Sequence, residues 1–460
     1  MVALFKALQV ILALSLLVII HEFGHYSFAK LFKTRVEKFY LFFNPKISLV
    51  KFKRFEGRLH CKFFSSNEDK EWDSYPDNTE YGIGWLPLGG YCKIAGMVDE
   101  SMDKEALAKE PQPYEFRSKP AWQRFFIMFG GVFYNFILAA VLYSAILGVW
   151  GEEYLKNDDA VYGVAVNDLS YEMGFRTGDR ILAFDGKPVE NFSQLQIDMV
   201  RSQAREALIL RDGDTLSISI DPAYIPAVLN SPGMFELAFP FVVGQVPEGS
   251  INEASGLEAG DAMVAVDGRR MFITQQIREE LSSYKDSSII ASIQRDNREL
   301  DLNLDVDSLG HIGVMLETDL SKFFTITTRD YGFFEAIPAG IAKGWTTITN
   351  YVQELGLIFS PKTEAYKSVG SFIAIGRVFP ASWDWYKFWS ICALLSVMLG
   401  VLNLLPIPAL DGGHILFLII EMITGRKPSD KVLEVAEWIG IVLLLMLMVL
   451  AFGNDIRSLF

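Results

Sequence analysis

The chain is poor in the residues that build the simplest metal and redox sites. Only three of its 460 residues are cysteine, Cys61, Cys92 and Cys392, and they form none of the paired spacings of a structural zinc site. None falls in residues 151–330, so that stretch cannot be a disulfide-stapled module. Histidine is also scarce, at five residues, which leaves few places for a metal or a proton-transfer group. Positive charge is in deficit: 42 Lys and Arg stand against 56 Asp and Glu, a net charge of −14. That balance argues against a nucleic-acid partner, which rewards basic patches. The deficit is local, because residues 151–330 hold 31 acidic and 15 basic side chains. The apolar N-terminus has no basic leader beyond Lys6 and no small-residue cleavage site, so it does not read as a signal peptide.

What the chain has in abundance is apolar surface, with half of its residues hydrophobic. Membrane spans combined with water-facing domains fit this composition. Four segments are long enough for a hydrocarbon layer of roughly 30 Å: 1–30, 121–150, 386–421 and 432–453. Eight basic residues follow the first span within 30–54, and Arg426, Lys427 and Lys431 link the last two. Positive charge gathers on the cytoplasmic side, which predicts outside termini, a cytoplasmic 31–120 region and an outside 151–385 region.

The first span ends in His21-Glu-Phe-Gly-His25. Residues four apart share a helix face, so both imidazoles can hold one metal ion, with Glu22 beside it as a base. Catalytic zinc needs a third protein ligand. The third span offers Asn403-Leu-Leu-Pro406-Ile-Pro408-Ala-Leu-Asp411-Gly-Gly-His414, where two prolines break the helix and a carboxylate needs a partner. Asp411 completes a two-His, one-carboxylate set; the alternative is a helix cap or salt bridge. His414 reads as a neighbour and not a ligand.

Between these motifs, Val36–Lys53 reads as one or two strands, and the acidic run 66–78 as a solvated loop. Residues 81–95, broken by Gly and Pro, read as a re-entrant hairpin or an ordinary buried one. Residues 97–118 suggest a short surface helix. In the second span, Gly130-Gly131 predicts close packing against the first, and Asn135 needs a hydrogen-bond partner. Two copies of one pattern, Met173–Val189 and Ser255–Met271, each place a strand between a Gly-Asp and an Asp-Gly turn. They resemble PDZ domains of bacterial proteases, giving two β-rich modules at 155–235 and 236–322 that bind peptide or filter by bulk. Region 330–385 reads as an amphipathic helix on the outer membrane face.

The motifs H-E-F-G-H and N-x-x-P-x-P-x-L-D-G-G, set in early and late spans around tandem PDZ-like repeats, resemble the site-2 protease family. The resemblance runs from end to end. It implies a polytopic α-helical membrane protein with four transmembrane helices, a membrane-reentrant β element near 82–95 and two PDZ-like domains. It implies an intramembrane metalloprotease of the bacterial inner membrane, using Zn2+ held by His21, His25 and Asp411 with Glu22 catalytic. The implied partners are the lipid bilayer and single-span membrane proteins, such as a trimmed anti-sigma factor or a remnant signal peptide. Substrate binding would fall to Asn403, Pro406 and Pro408, and to Gly89 and Gly90 in the re-entrant element. One departure is Val132, which stands where the family commonly has Pro in Gly-Pro-x-x-Asn. A zinc transporter and an inactive scaffold are the rival classes; the first has no use for the repeats, the second none for Glu22.

Overall fold

A computed structural model describes residues 2–457, apart from residues 68, 88, 98–109, 230, 232, 359–362 and 364–369. The chain divides into two compact units. The first comprises Met1–Gly151, Asp330–Leu355 and Val369–Phe460, and the second Glu152–Arg329 and Gly356–Ser368.

The first unit is built on helices α1 (Val2–Leu31), α3 (Ala121–Trp150), α6 (Trp385–Leu404), α7 (Asp411–Thr424) and α8 (Asp430–Arg457), with α2 (Lys70–Asp73), α4 (Phe333–Ile358) and α5 (Phe372–Val378) between them. Among the described residues, four stretches are long and apolar enough to cross a membrane: Leu4–Leu31, Ala121–Trp150, Trp385–Leu404 and Lys431–Arg457. The third is shorter than 386–421. Pro406 and Pro408 cannot continue the i→i−4 ladder, so α6 stops at Leu404 and α7 begins afresh at Asp411.

Helix α3 is the central post, packed against α1, α6 and α7. Its crossing with α1 is set by glycine: a Cβ on Gly24 would lie 2.2 Å from the Gly130 carbonyl oxygen, and one on Gly130 2.6 Å from that of Gly24. The expected role of the glycine pair is met. Helix α4 packs along α3. Its Gly340 packs on Ser144, Gly344 on Ala140, and Ala336 on Gly148, an antiparallel match of small residues along the last turns of α3.

Between α1 and α3 the chain folds into a five-stranded sheet, in the order β3 (Arg58–Ser66), β2 (Phe43–Phe55), β4 (Glu80–Leu86), β1 (Val36–Leu41), β5 (Tyr91–Ile94). Where one or two strands were expected over Val36–Lys53, there are two, β1 and β2. The segment 81–95 is not a hairpin, because β4 and β5 both pair with β1, which lies between them. Strand β5 is thereby an edge. The acidic run also departs from expectation: Trp72 is fully buried, and Asp69 takes ion pairs from Lys51 and Lys62 at 3.2 and 2.7 Å. A single apolar anchor among charges has no periodicity to announce it. Most of the surface helix expected at 97–118 lies outside the described residues; Phe116–Ser118 is a short 3-10 turn.

The second unit holds two modules of matching design. One has the sheet β11 (Asp214–Ser219), β10 (Glu206–Arg211), β8 (Arg180–Phe184), β9 (Lys187–Pro188). The other has β15 (Arg269–Arg270), β14 (Ala262–Val266), β16 (Ser287–Arg295), β17 (Arg298–Val306). The Asp-Gly turns after β8 and β14 place Asp185, Gly186, Asp267 and Gly268 at positive φ, as a tight hairpin requires. Each Gly-Asp turn carries the same clamp. Asp179 binds Arg211 through both oxygens at 2.7 and 2.8 Å, and Asp261 binds Arg295 the same way at 2.6 Å for each. The unit's first and last strands, β6 (Glu152–Leu155) and β19 (Ile326–Arg329), pair antiparallel, so the chain enters and leaves side by side.

Candidate metal centre

Helix α1 carries His21 and His25 one turn apart, so their imidazoles project together toward α3. Room for the rings comes from Gly131, where a Cβ would lie 2.6 Å from atoms of both. Asp411 arrives from the opposite side as the first residue of α7. Its neighbours Gly412 and Gly413 let the preceding loop fold back on that turn: a Cβ on Gly412 would lie 2.1 Å from the Leu405 carbonyl oxygen, and one on Gly413 2.6 Å from that of Ile407. Ala409, just before, adopts φ +78°, a left-handed conformation rare outside glycine. Gly440 of α8 packs against Pro408 and closes the loop from outside.

Three donor atoms converge as a result. His21 Nε2 and His25 Nε2 lie 3.3 Å apart, and Asp411 Oδ2 lies 3.1 and 3.3 Å from them. Donors about 2.0–2.1 Å from a tetrahedral zinc are separated by roughly 3.3 Å. Asp411 Oδ2 is buried with no hydrogen bond of acceptable geometry, an arrangement that costs free energy unless something else satisfies it. The Nδ1 atoms are engaged elsewhere: His25 Nδ1 with the Ile127 carbonyl at 2.9 Å, His21 Nδ1 with Asn135 Nδ2 at 3.1 Å. Both partners belong to α3, and both leave Nε2 free to face inward. Among the described residues this is the single group of His, Cys, Asp and Glu placed to hold a metal ion.

Glu22, the residue after His21, lies beside the Cys92 backbone N–H of β5. A cavity of about 750 Å³ opens beside it, lined by His21, Glu22, His25 and Asp411, and further by Gly90 and the β5 strand. Gly90 sits close to Glu22 because a Cβ there would meet the Tyr40 carbonyl oxygen at 2.6 Å and Val18 at 2.8 Å. Asn403, Pro406, Pro408 and Gly89 are not on the cavity wall, whereas Lys38, Lys93, His414 and Glu437 are. His414 is the neighbour that the sequence places one turn after Asp411, whereas Lys38, Lys93 and Glu437 come from β1, β5 and α8, which no spacing links to the ligands. Arg124 of α3 pairs with Glu421 of α7, tying the helix that carries Asp411 to the post that orients both histidines.

Comparison with known proteins fits this geometry. The model of peptidase family M50 matches residues 9–63 and 71–447. Protease RseP of Yersinia pestis is 29% identical, with 98% of each chain covered. The regulator of sigma-E protease RseP of Salmonella typhimurium is 28% identical over 98% of each. A Ralstonia nicotianae protein, named as a candidate zinc metalloprotease, is 28% identical over 98% of each. The chain belongs to peptidase family M50, and is a membrane zinc metalloendopeptidase of the site-2 protease type.

Proposed function

We propose that this protease hydrolyses a peptide bond within the transmembrane segment of single-span membrane proteins, as a regulated second cut after trimming outside the membrane. A shortened anti-sigma factor or a remnant signal peptide has the required form. The observation that supports the reading most strongly is the convergence of Asp411 with His21 and His25 beside Glu22, the last three on a helix long and apolar enough to cross a bilayer.

His21, His25 and Asp411 hold zinc, which when bound polarises the scissile carbonyl and acidifies water. Glu22 takes a proton from the attacking water and returns it to the leaving amine. A helical substrate must first unwind, and β5 is suited to receive it, since its outer edge has backbone groups to pair with an extended peptide. Gly90 keeps the approach to Glu22 narrow, while Gly89, Asn403, Pro406 and Pro408 shape the path around it. The modules at 155–235 and 236–322 are PDZ-like domains outside the cytoplasm that select trimmed substrates by binding or bulk. The basic residues of 30–54 and 426–431 set the active site toward the cytoplasmic side of a bacterial inner membrane.

The test is cleavage of a single-span substrate co-reconstituted with the protease in liposomes, with products sized by mass spectrometry. Wild type should cut inside the spanning segment and Glu22→Gln should not. Cuts confined to water-exposed residues, or equal activity in the variant, would overturn the proposal.

A further inference from the structure

We propose that Asn135 is a positioning residue for His21, whose amide holds the Nδ1 edge of that ring so that Nε2 faces the metal. The inference rests on the zinc reading of the site. Asn135 is fully buried on α3, four residues beyond Gly131, whose missing side chain brings the helix against the imidazoles. Its own backbone is held by Ser396 of α6, whose hydroxyl donates to the Asn135 carbonyl at 2.7 Å. The side chain therefore sits at a fixed height beside His21.

The two histidines are not oriented alike. His25 Nδ1 faces a peptide carbonyl, which can only accept, so Nδ1 carries the proton and Nε2 is left bare. His21 Nδ1 faces an amide, which offers a donor on one side and an acceptor on the other. A metal on Nε2 requires the tautomer with Nδ1–H donating. Asn135 Oδ1 is buried with no other hydrogen-bond partner, and is the acceptor on this amide for that proton. A carboxylate in place of Asn135 could accept it too, and an apolar residue could not.

The experiment measures zinc affinity of the purified full-length protein by chelator competition, together with the rise in Tm on adding zinc. N135L should bind zinc about 10–100-fold more weakly, the usual cost of removing an outer partner of a ligating histidine. N135D should bind within about threefold of wild type or tighter, because its carboxylate accepts from Nδ1–H. Its zinc-induced rise in Tm should match that of wild type, since the rise follows affinity, and that of N135L should be smaller. Wild-type affinity in N135L, or an N135D as weak as N135L, would overturn the proposal. If N135L does not fold, N135D decides alone: a loss of tenfold or more refutes, and retained affinity supports. Failure of the underlying zinc reading is separable, because then H21A would leave the metal content of the protein unchanged.

Discussion

At the scale of single residues, the site depends on side chains that are absent as much as on those present. Gly131 has no room for a methyl group, since the two imidazoles occupy its place. Gly131→Ala should therefore displace both rings and lower zinc affinity by at least about tenfold, measured by chelator competition. Glu22→Gln, by contrast, preserves shape and removes only the base. It should retain zinc and lose cleavage by about 100-fold or more, the usual contribution of a general base. The HExxH pair and Asp411 were legible because helical spacing and a charge inside an apolar segment are local signals. Their outer partners were not. Ile127 contributes a backbone carbonyl, and nothing in its side chain announces that. Asn135 could be read only as a polar group in need of a partner, since the partner lies on a helix more than a hundred residues away.

At the scale of elements, the sequence pattern showed where strands and helices lie better than how they pair. Richness in Phe, Tyr, Ile and Val marked β1 and β2, but pairing partners leave no such trace, so β4 and β5 were read as a hairpin when β1 separates them. The proline break before Asp411 was legible, and its consequence is the independent helix α7. Gly412→Ala would push the loop off that helix and move Asp411, with loss of bound zinc as the expected readout. In the sheet, burial alone would raise the Asp69 carboxyl, but hydrogen bonds from Lys62 and Lys51 outweigh it and hold the group below its ordinary value. A depressed carboxylate stabilises the fold above its unfolded pKa of about 3.9 and loses that contribution as pH falls through the folded value. Asp69→Asn should therefore narrow the difference in thermal midpoint between neutral and acid pH. The duplicated clamp makes a parallel case. Asp179→Ala leaves Arg211 without its carboxylate and should destabilise the second unit by about 3 kcal/mol, read from denaturant unfolding of that unit's transition.

At the scale of the whole molecule, the chain separates two tasks. The first unit gathers the apolar helices and the metal-ligating residues, and the second carries the acidic excess in paired β modules. Composition made this division legible, because charge and hydropathy change where α3 ends and again near α4. The packing of α4 along α3 was hidden, since small residues at four-residue spacing also occur in surface helices. The central claim is that three side chains from two distant motifs share one zinc ion. Zinc-edge X-ray absorption on the purified protein, with metal content per chain, tests it most directly. The account predicts one zinc per chain with two imidazole nitrogens and oxygen in the first shell, and loss of that signal in Asp411→Asn. Sulfur in the first shell, or an unchanged spectrum in Asp411→Asn, would contradict it.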